Sequence, residues 1–181
     1  MSLWETDRLI IRDWTEEPAD VERIFDMLSR WEVARWLGAT PRALTDPAEA
    51  VGVVRRWRAR GSADGRFGIW AIEVRATGEA VGTVLVIPMP GMGGATTEDI
   101  EVGWHLHPDA WGNGYATEAA RSAVDRAFAA GVPEIFAVVR PGNAPSVAVT
   151  RRLGMSPLGP QPDRWYDGAE LEAFVLTAPS A

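Results

Sequence analysis

No cysteine and no lysine occur anywhere in this 181-residue chain, and those two gaps exclude more chemistry than any other feature of its composition. Without cysteine there is no disulfide, no thiol nucleophile and no thiolate-held metal. Without lysine there is no Schiff-base catalysis, no lysine-held pyridoxal phosphate and no Walker phosphate loop, which needs a lysine after its second glycine. No apolar run approaches the ~20 residues of a membrane-spanning helix. The first residues include Glu5 and Asp7 rather than the apolar core of a secretory signal. A cytoplasmic protein with no membrane partner is therefore expected. Positive charge is also scarce: 18 arginines stand against 25 acidic residues, for a net charge of −7. That balance disfavours nucleic acid as a partner and mildly favours a cationic acceptor.

The remainder is ordinary for a globular protein, with 46% hydrophobic and 24% charged residues and enough chain for one domain over residues 1–181. Arg8 to Trp14 reads as a first strand. Pro18 opens a helix whose Val21, Ile24, Phe25 and Leu28 share one face. A second helix starts at Asp46-Pro47 and ends near Arg60. Its Arg55, Arg56, Arg58 and Arg60 form either a solvated helix end or a contact for a phosphate or an acidic acceptor. Phe67–Val74 and Ala80–Ile87 are strand-like and joined at Ala76-Thr77-Gly78-Glu79, with Gly91-Met92-Gly93-Gly94 as a later hairpin tip. Ile100, Val102, Trp104 and Leu106 alternate with Glu101, Gly103, His105 and His107, which gives a strand with an apolar and a polar face. Helix Ala116–Ala130, strand Glu134–Val139, a helix capped by Asn143 and closed by Gly154, and a hairpin over Trp165–Thr177 turning at Asp167-Gly168 complete the chain. The order predicts a mixed α/β domain around a mostly antiparallel sheet.

The joint between the fourth of those strands and the alanine-rich helix carries the most information. Trp111-Gly112-Asn113-Gly114-Tyr115-Ala116 sets two glycines just before a helix N-terminus. Backbone N–H groups there can hold an anion, and glycine lets a phosphate approach where a Cβ would fend it off. The residues alone leave a pyrophosphate cradle and plain turn punctuation both open. The dinucleotide fingerprint is excluded, because Ala116 stands in place of a third glycine and the spacing is wrong.

The run Pro108-x-x-Trp111-Gly112-x-Gly114-Tyr115-Ala116-Thr117-Glu118-Ala119 resembles the acetyl-CoA loop of the GCN5-related N-acetyltransferases (GNAT), in its RimJ/RimL-like branch. Trp111 replaces the Gln or Arg usual in the wider family. Asn143-x-x-Ser146 and Leu153-Gly154-Met155 also resemble that branch, as do Thr6, Arg8, Leu9 and Arg12. The resemblance spans nearly the whole chain, most closely Glu101 to Gly154. It implies the GNAT fold: an α/β (α+β) domain with a twisted, mostly antiparallel sheet of about seven strands, about four flanking helices and splayed central strands.

The resemblance further implies acetyl-CoA as co-substrate and a primary amine as acceptor, either a protein N-terminus or a small amine. Gly112, Asn113, Gly114, Tyr115 and Ala116, with Trp111, would hold the diphosphate. Pantetheine would lie along the strand ending at Leu106, with backbone N–H groups near Trp104 and His105 stabilising the oxyanion. Asn143 would cap its helix and meet the pantetheine amide. Glu101 is the first candidate for general base, with Asp99 and His105 behind it. Many family members place an acidic tyrosine where Thr150 stands, so Ser146 is the expected substitute. Trp31 and Trp36 are candidates for an acceptor-binding wall. No metal is expected, since His105 and His107 lack a third ligand. A monomer or a homodimer fits equally. Two other functions compete with catalysis. A non-catalytic acyl-CoA-binding regulatory module would bind the cofactor without transfer, and a structural interaction domain would not bind it at all.

Overall fold

Alternating apolar and polar residues build one eight-stranded sheet among residues 2–179, the part of the chain that the computed structural model describes. The strands are β1 (Ser2–Glu5), β2 (Leu9–Asp13), β3 (Gly68–Val74), β4 (Glu79–Pro90), β5 (Thr96–Leu106), β6 (Glu134–Val139), β7 (Ser156–Pro160) and β8 (Glu172–Thr177). The helices are α1 (Pro18–Leu28), α2 (Trp31–Ala34), α3 (Ala48–Ala59), α4 (Tyr115–Ala129) and α5 (Ala144–Leu153). Strand order is β1-β2-β3-β4-β5-β6-β8-β7. Every neighbouring pair is antiparallel except β5 and β6. The expected class and fold are therefore present, with one strand and one helix more than anticipated. No helix among the described residues is long and apolar enough to cross a membrane.

The pleat sorts neighbouring residues to opposite faces. Trp70 and Ile72 join a core beneath α4, while Ala71 between them joins a second core with Trp14 under α1 and α3. Ala119, Ala120 and Ala123 are at most 2% exposed, so α4 lies close against the sheet where bulkier side chains would hold it off. Asn143 caps α5 by accepting from the Ser146 N–H at 3.3 Å, and Gly154 ends it at φ 83°. Arg12 on β2 grips the buried Asp20 of α1 with two 2.8 Å bonds and reaches Glu73 of β3 at 2.6 Å, tying helix to sheet.

Two local expectations are corrected. Trp4 explains β1, which sequence reading left out: it packs edge-on against Trp70 at 4.9 Å and holds that short strand to the sheet. The Trp165–Thr177 hairpin does not form, because β8 begins at Glu172 and takes β7 as its partner. Asp167-Gly168 lies instead in a 3₁₀ turn over Tyr166–Gly168, where the Asp167 carboxylate accepts from the Gly93 N–H at 2.6 Å.

Candidate active site

The parallel neighbours β5 and β6 share a single register pair, Glu101 with Phe136. On their outer sides the β4–β5 and β6–β8 ladders continue for the full length of the strands. Beyond Glu101 the two strands therefore diverge, and their facing backbone groups are left without a ladder. The His107 N–H donates to the Val81 carbonyl on the β4 side at 2.9 Å, which fixes the alternation along β5. The N–H of His105 consequently faces β4; that of Val102 falls at the one β5–β6 bridge, and those of Trp104 and Leu106 face the opening. Of the two positions expected to supply oxyanion donors, Trp104 turns its N–H to the opening and His105 turns its N–H into the β4 ladder.

The opening widens into a cleft of about 1340 Å³. Two helix N-termini close one end of it, those of α4 and α5. Gly112 and Gly114 adopt φ 79° and 80°, the left-handed region that glycine occupies without strain, and Gly114 is the residue from which α4 starts. The consequence is a run of six N–H groups, from Gly112 to Thr117, none of which finds an acceptor among the described residues. Arg8 braces this loop, donating to the Asn113 carbonyl at 3.0 Å and to Glu118 at 2.7 Å while its guanidinium lies over the Tyr115 ring. Burial raises the Glu118 pKa, but bonds from the Thr6 hydroxyl and from Arg8 outweigh it and hold the carboxyl below its ordinary range. Trp111 is half exposed and pins the loop to the end of β5 through Nε1 and the Leu106 carbonyl, 3.0 Å apart. Asn113 turns its side-chain amide back to the Ala110 and Trp111 carbonyls, so only its backbone N–H is offered outward.

Glu101 stands at the apex where the strands part, buried, and accepts from the Tyr166 hydroxyl. Burial pushes its pKa up to about 7, against the smaller lowering effects of that hydrogen bond and of the Arg60 charge. The Tyr166 phenol, buried beside a carboxylate, is held well above its usual range and stays protonated. Its backbone is strained to put it there, with Tyr166 at φ 55° and Asp167 at φ 52°. Anchors on both sides hold the strain. Trp165 is buried against Met89 and Phe136, with its Nε1 on Asp99 at 2.8 Å, and Asp167 is fixed by Gly93. Asp99 also accepts from Arg164 at 2.8 Å, which engages the second candidate base in structure. His105 packs on Trp57, and burial lowers its pKa to about 4. His107 lies 2.9 and 2.8 Å from the Asp26 and Asp109 carboxylates, and its Nδ1 accepts from the Asp109 N–H at 3.2 Å.

The other anticipated residues divide. Ser146 and Asn143 line the cleft. Thr150 is fully buried and its hydroxyl bonds back to the Val147 carbonyl, out of reach of any ligand. Trp36 lines the cleft beneath the Arg35 guanidinium, but Trp31 does not; as the first residue of the four-residue α2 it points outward, 55% exposed, while Val33 and Ala34 take the inner face. Tyr166, Trp57 and Arg140 were missed as cleft residues. The available signal for Tyr166 was slight: it is one of two tyrosines, beside an Asp-Gly pair.

Comparison with known proteins places this arrangement. Residues 8–156 match the family model described as "Acetyltransferase (GNAT) domain". Over 157 residues the chain is 31% identical to the uncharacterized N-acetyltransferase YoaA of Bacillus subtilis, covering 86% of this chain and 83% of YoaA. The fold is similar to that of the microcin C7 self-immunity acetyltransferase MccE in complex with acetyl-CoA and AMP (TM-score 0.74, 14% identity, 95% and 93% of the two chains). It is also similar to that of Mycobacterium smegmatis RimJ in complex with CoA-disulfide (TM-score 0.71, 23% identity, 94% and 82%). The chain belongs to the GNAT family of acetyltransferases.

Proposed function

We propose that the chain transfers an acetyl group from acetyl-CoA to a primary amine by direct attack within a ternary complex. The observation that carries this reading is the meeting, in one cleft, of six unpaired N–H groups at a helix start and a buried carboxylate with its pKa near 7. A diphosphate fits the first, since a Cβ at Gly112 or Gly114 would stand where the anion must approach. The unladdered edge of β5 fits the amide-rich pantetheine arm, with Asn143 and Ser146 opposite it on α5. The complexes of MccE with acetyl-CoA and of RimJ with CoA-disulfide show such ligands held by this fold, and support the same use here.

Glu101 takes the amine proton, directly or through water, so that the free nitrogen attacks the thioester carbonyl. The C–N bond forms, the oxyanion is met by the N–H of Trp104, and the C–S bond breaks. The nitrogen sheds its remaining surplus proton, which reaches the leaving thiolate through the Ser146 hydroxyl, the α5 hydroxyl that lines the cleft, because that of Thr150 is internal. Tyr166 holds the Glu101 carboxylate in one orientation. No acyl-enzyme on cysteine can form.

The test is CoA release from acetyl-CoA against peptides with varied N-termini, amino acids, aminoglycosides and polyamines, with products identified by mass spectrometry. Saturable release with one class is expected. Acetyl-CoA binding with no transfer to any amine would instead indicate a binding module.

A further inference from the structure

The chain carries net charge −7, yet six arginines and only three glutamates line the cleft. Arg8 is matched by Glu118. Arg121 and Arg152 are joined on the α4–α5 side, where Arg121 donates to the Arg152 carbonyl, close to the cradle for a diphosphate. Arg35 and Arg60 stand at the ends of α2 and α3, and Arg140 reaches that rim through its bonds to the Gly38 and Ala39 carbonyls. Neither Arg35 nor Arg60 has a carboxylate partner among the described residues, although Arg55 on the same α3 pairs with Glu16 at 2.7 Å. Arg140 spends one nitrogen on the Gly38 and Ala39 carbonyls at 2.6 Å, while its buried Nε lacks any partner among the described residues. Trp36 and Trp57 add apolar wall to the same cleft, Trp36 beneath the Arg35 guanidinium. Glu32 is the acidic residue on that rim besides Glu101, so the rim remains cationic.

We propose, resting on the acetyl-transfer reading above, that the acceptor is a small amine carrying its own anionic group, which Arg60 and Arg35 bind while the nitrogen faces Glu101. A guanidinium recognises a carboxylate or phosphonate with directed hydrogen bonds, and a cleft of this sign repels polycations. Local charge thus reverses what the overall negative charge suggests about the acceptor. Arg60 and Glu101 line the same cleft, so one small molecule can offer its amine to the carboxylate and its anion to the guanidinium. The apolar body of the acceptor lies against Trp36 and Trp57.

The experiment compares matched pairs by CoA release at saturating acetyl-CoA: L-phenylalanine against L-phenylalaninamide, and 2-aminoethylphosphonate against ethanolamine, with spermidine as the polycation. The anionic member of at least one pair is expected to exceed its neutral partner by about tenfold or more in kcat/KM, and the favoured pair distinguishes carboxylate from phosphonate. Arg60→Gln should collapse that ratio towards one through KM for the anionic member, and Arg60→Lys should restore part of it. A variant that merely folds poorly would lower both members alike. Transfer with equal or better use of the amides, ethanolamine or spermidine overturns this proposal and leaves acetyl transfer standing. Acetyl-CoA binding with no transfer to any of these amines or to the broader panel overturns both.

Discussion

The hydroxyl of Tyr166 donates to the carboxylate of Glu101 across 65 residues of chain, at the point where β5 and β6 part. This pair sets the pH dependence of the proposed reaction. Because burial raises Glu101 to about 7, its basic form is the minority below that pH. With an acceptor whose own ionisation is accounted for, kcat/KM should rise close to tenfold per unit up to about pH 7 and then level. Tyr166→Phe removes a bond that lowers the Glu101 pKa, so its limb should move to higher pH while acetyl-CoA affinity is unchanged. A pH–rate profile of both proteins checks the shift; coincident profiles would remove Tyr166 from the role.

The same burial makes Glu101 a liability to the fold. A carboxyl raised in the folded state binds its proton more tightly there than when unfolded. Stability is therefore unaffected below the unfolded value near 4.5, falls as pH rises towards 7, and stays lower above it. Glu101→Gln should be more stable than the parent at pH 8 by roughly 1–3 kcal/mol and nearly equal to it at pH 4. Urea unfolding at the two pH values measures the difference.

Gly112 and Gly114 should tolerate no side chain where acetyl-CoA is concerned. Valine at either position would be forced into a left-handed conformation at about 1–3 kcal/mol and would also place its Cβ before the unpaired N–H groups. A Cβ at Gly112 meets nothing within 4 Å and one at Gly114 meets only the end of Arg8 at 3.5 Å, so the protein itself has room for it. The double valine variant is expected to stay folded by circular dichroism and to lose acetyl-CoA affinity by about a hundredfold or more, read by calorimetry.

Asp20 carries a structural load rather than a catalytic one. Burial raises its pKa, but the bonds from Arg12 and Thr15 outweigh that, and the carboxyl is held below its ordinary value. Its stabilisation is complete above the unfolded pKa near 3.8 and is lost as pH falls through the lower folded value. Asp20→Ala leaves the Arg12 guanidinium with Glu73 as its one carboxylate and should cost about 3 kcal/mol, lowering Tm by roughly 6–12 °C at pH 7. Arg12→Met combined with Asp20→Leu should recover part of that loss.

The legible parts of the fold and site are those written locally. Gly112 and Gly114 before an alanine stripe announced the α4 start, and Asn143 announced the α5 cap, because each depends on residues within a turn of itself. The alternation through Ile100–Leu106 placed Glu101 opposite the apolar face. The rest depends on contacts distant in sequence. The cap that Asp167 provides for Gly93 spans 74 residues and is what bends the chain to deliver Tyr166. An Asp-Gly pair reads the same whether its carboxylate is free or captured, so the hairpin expectation failed there. The α3 arginines could not be divided by composition either: Arg55 meets Glu16 across 39 residues, whereas Arg60 lines the cleft.

The central claim is that Glu101 is the base of an acetyl transfer carried out in this cleft. Its most direct test is the turnover of Glu101→Gln at saturating acetyl-CoA and amine, measured with its acetyl-CoA affinity. The account predicts turnover lower by roughly 10²–10⁴-fold with affinity unchanged. Full turnover at every pH in the glutamine variant would contradict it.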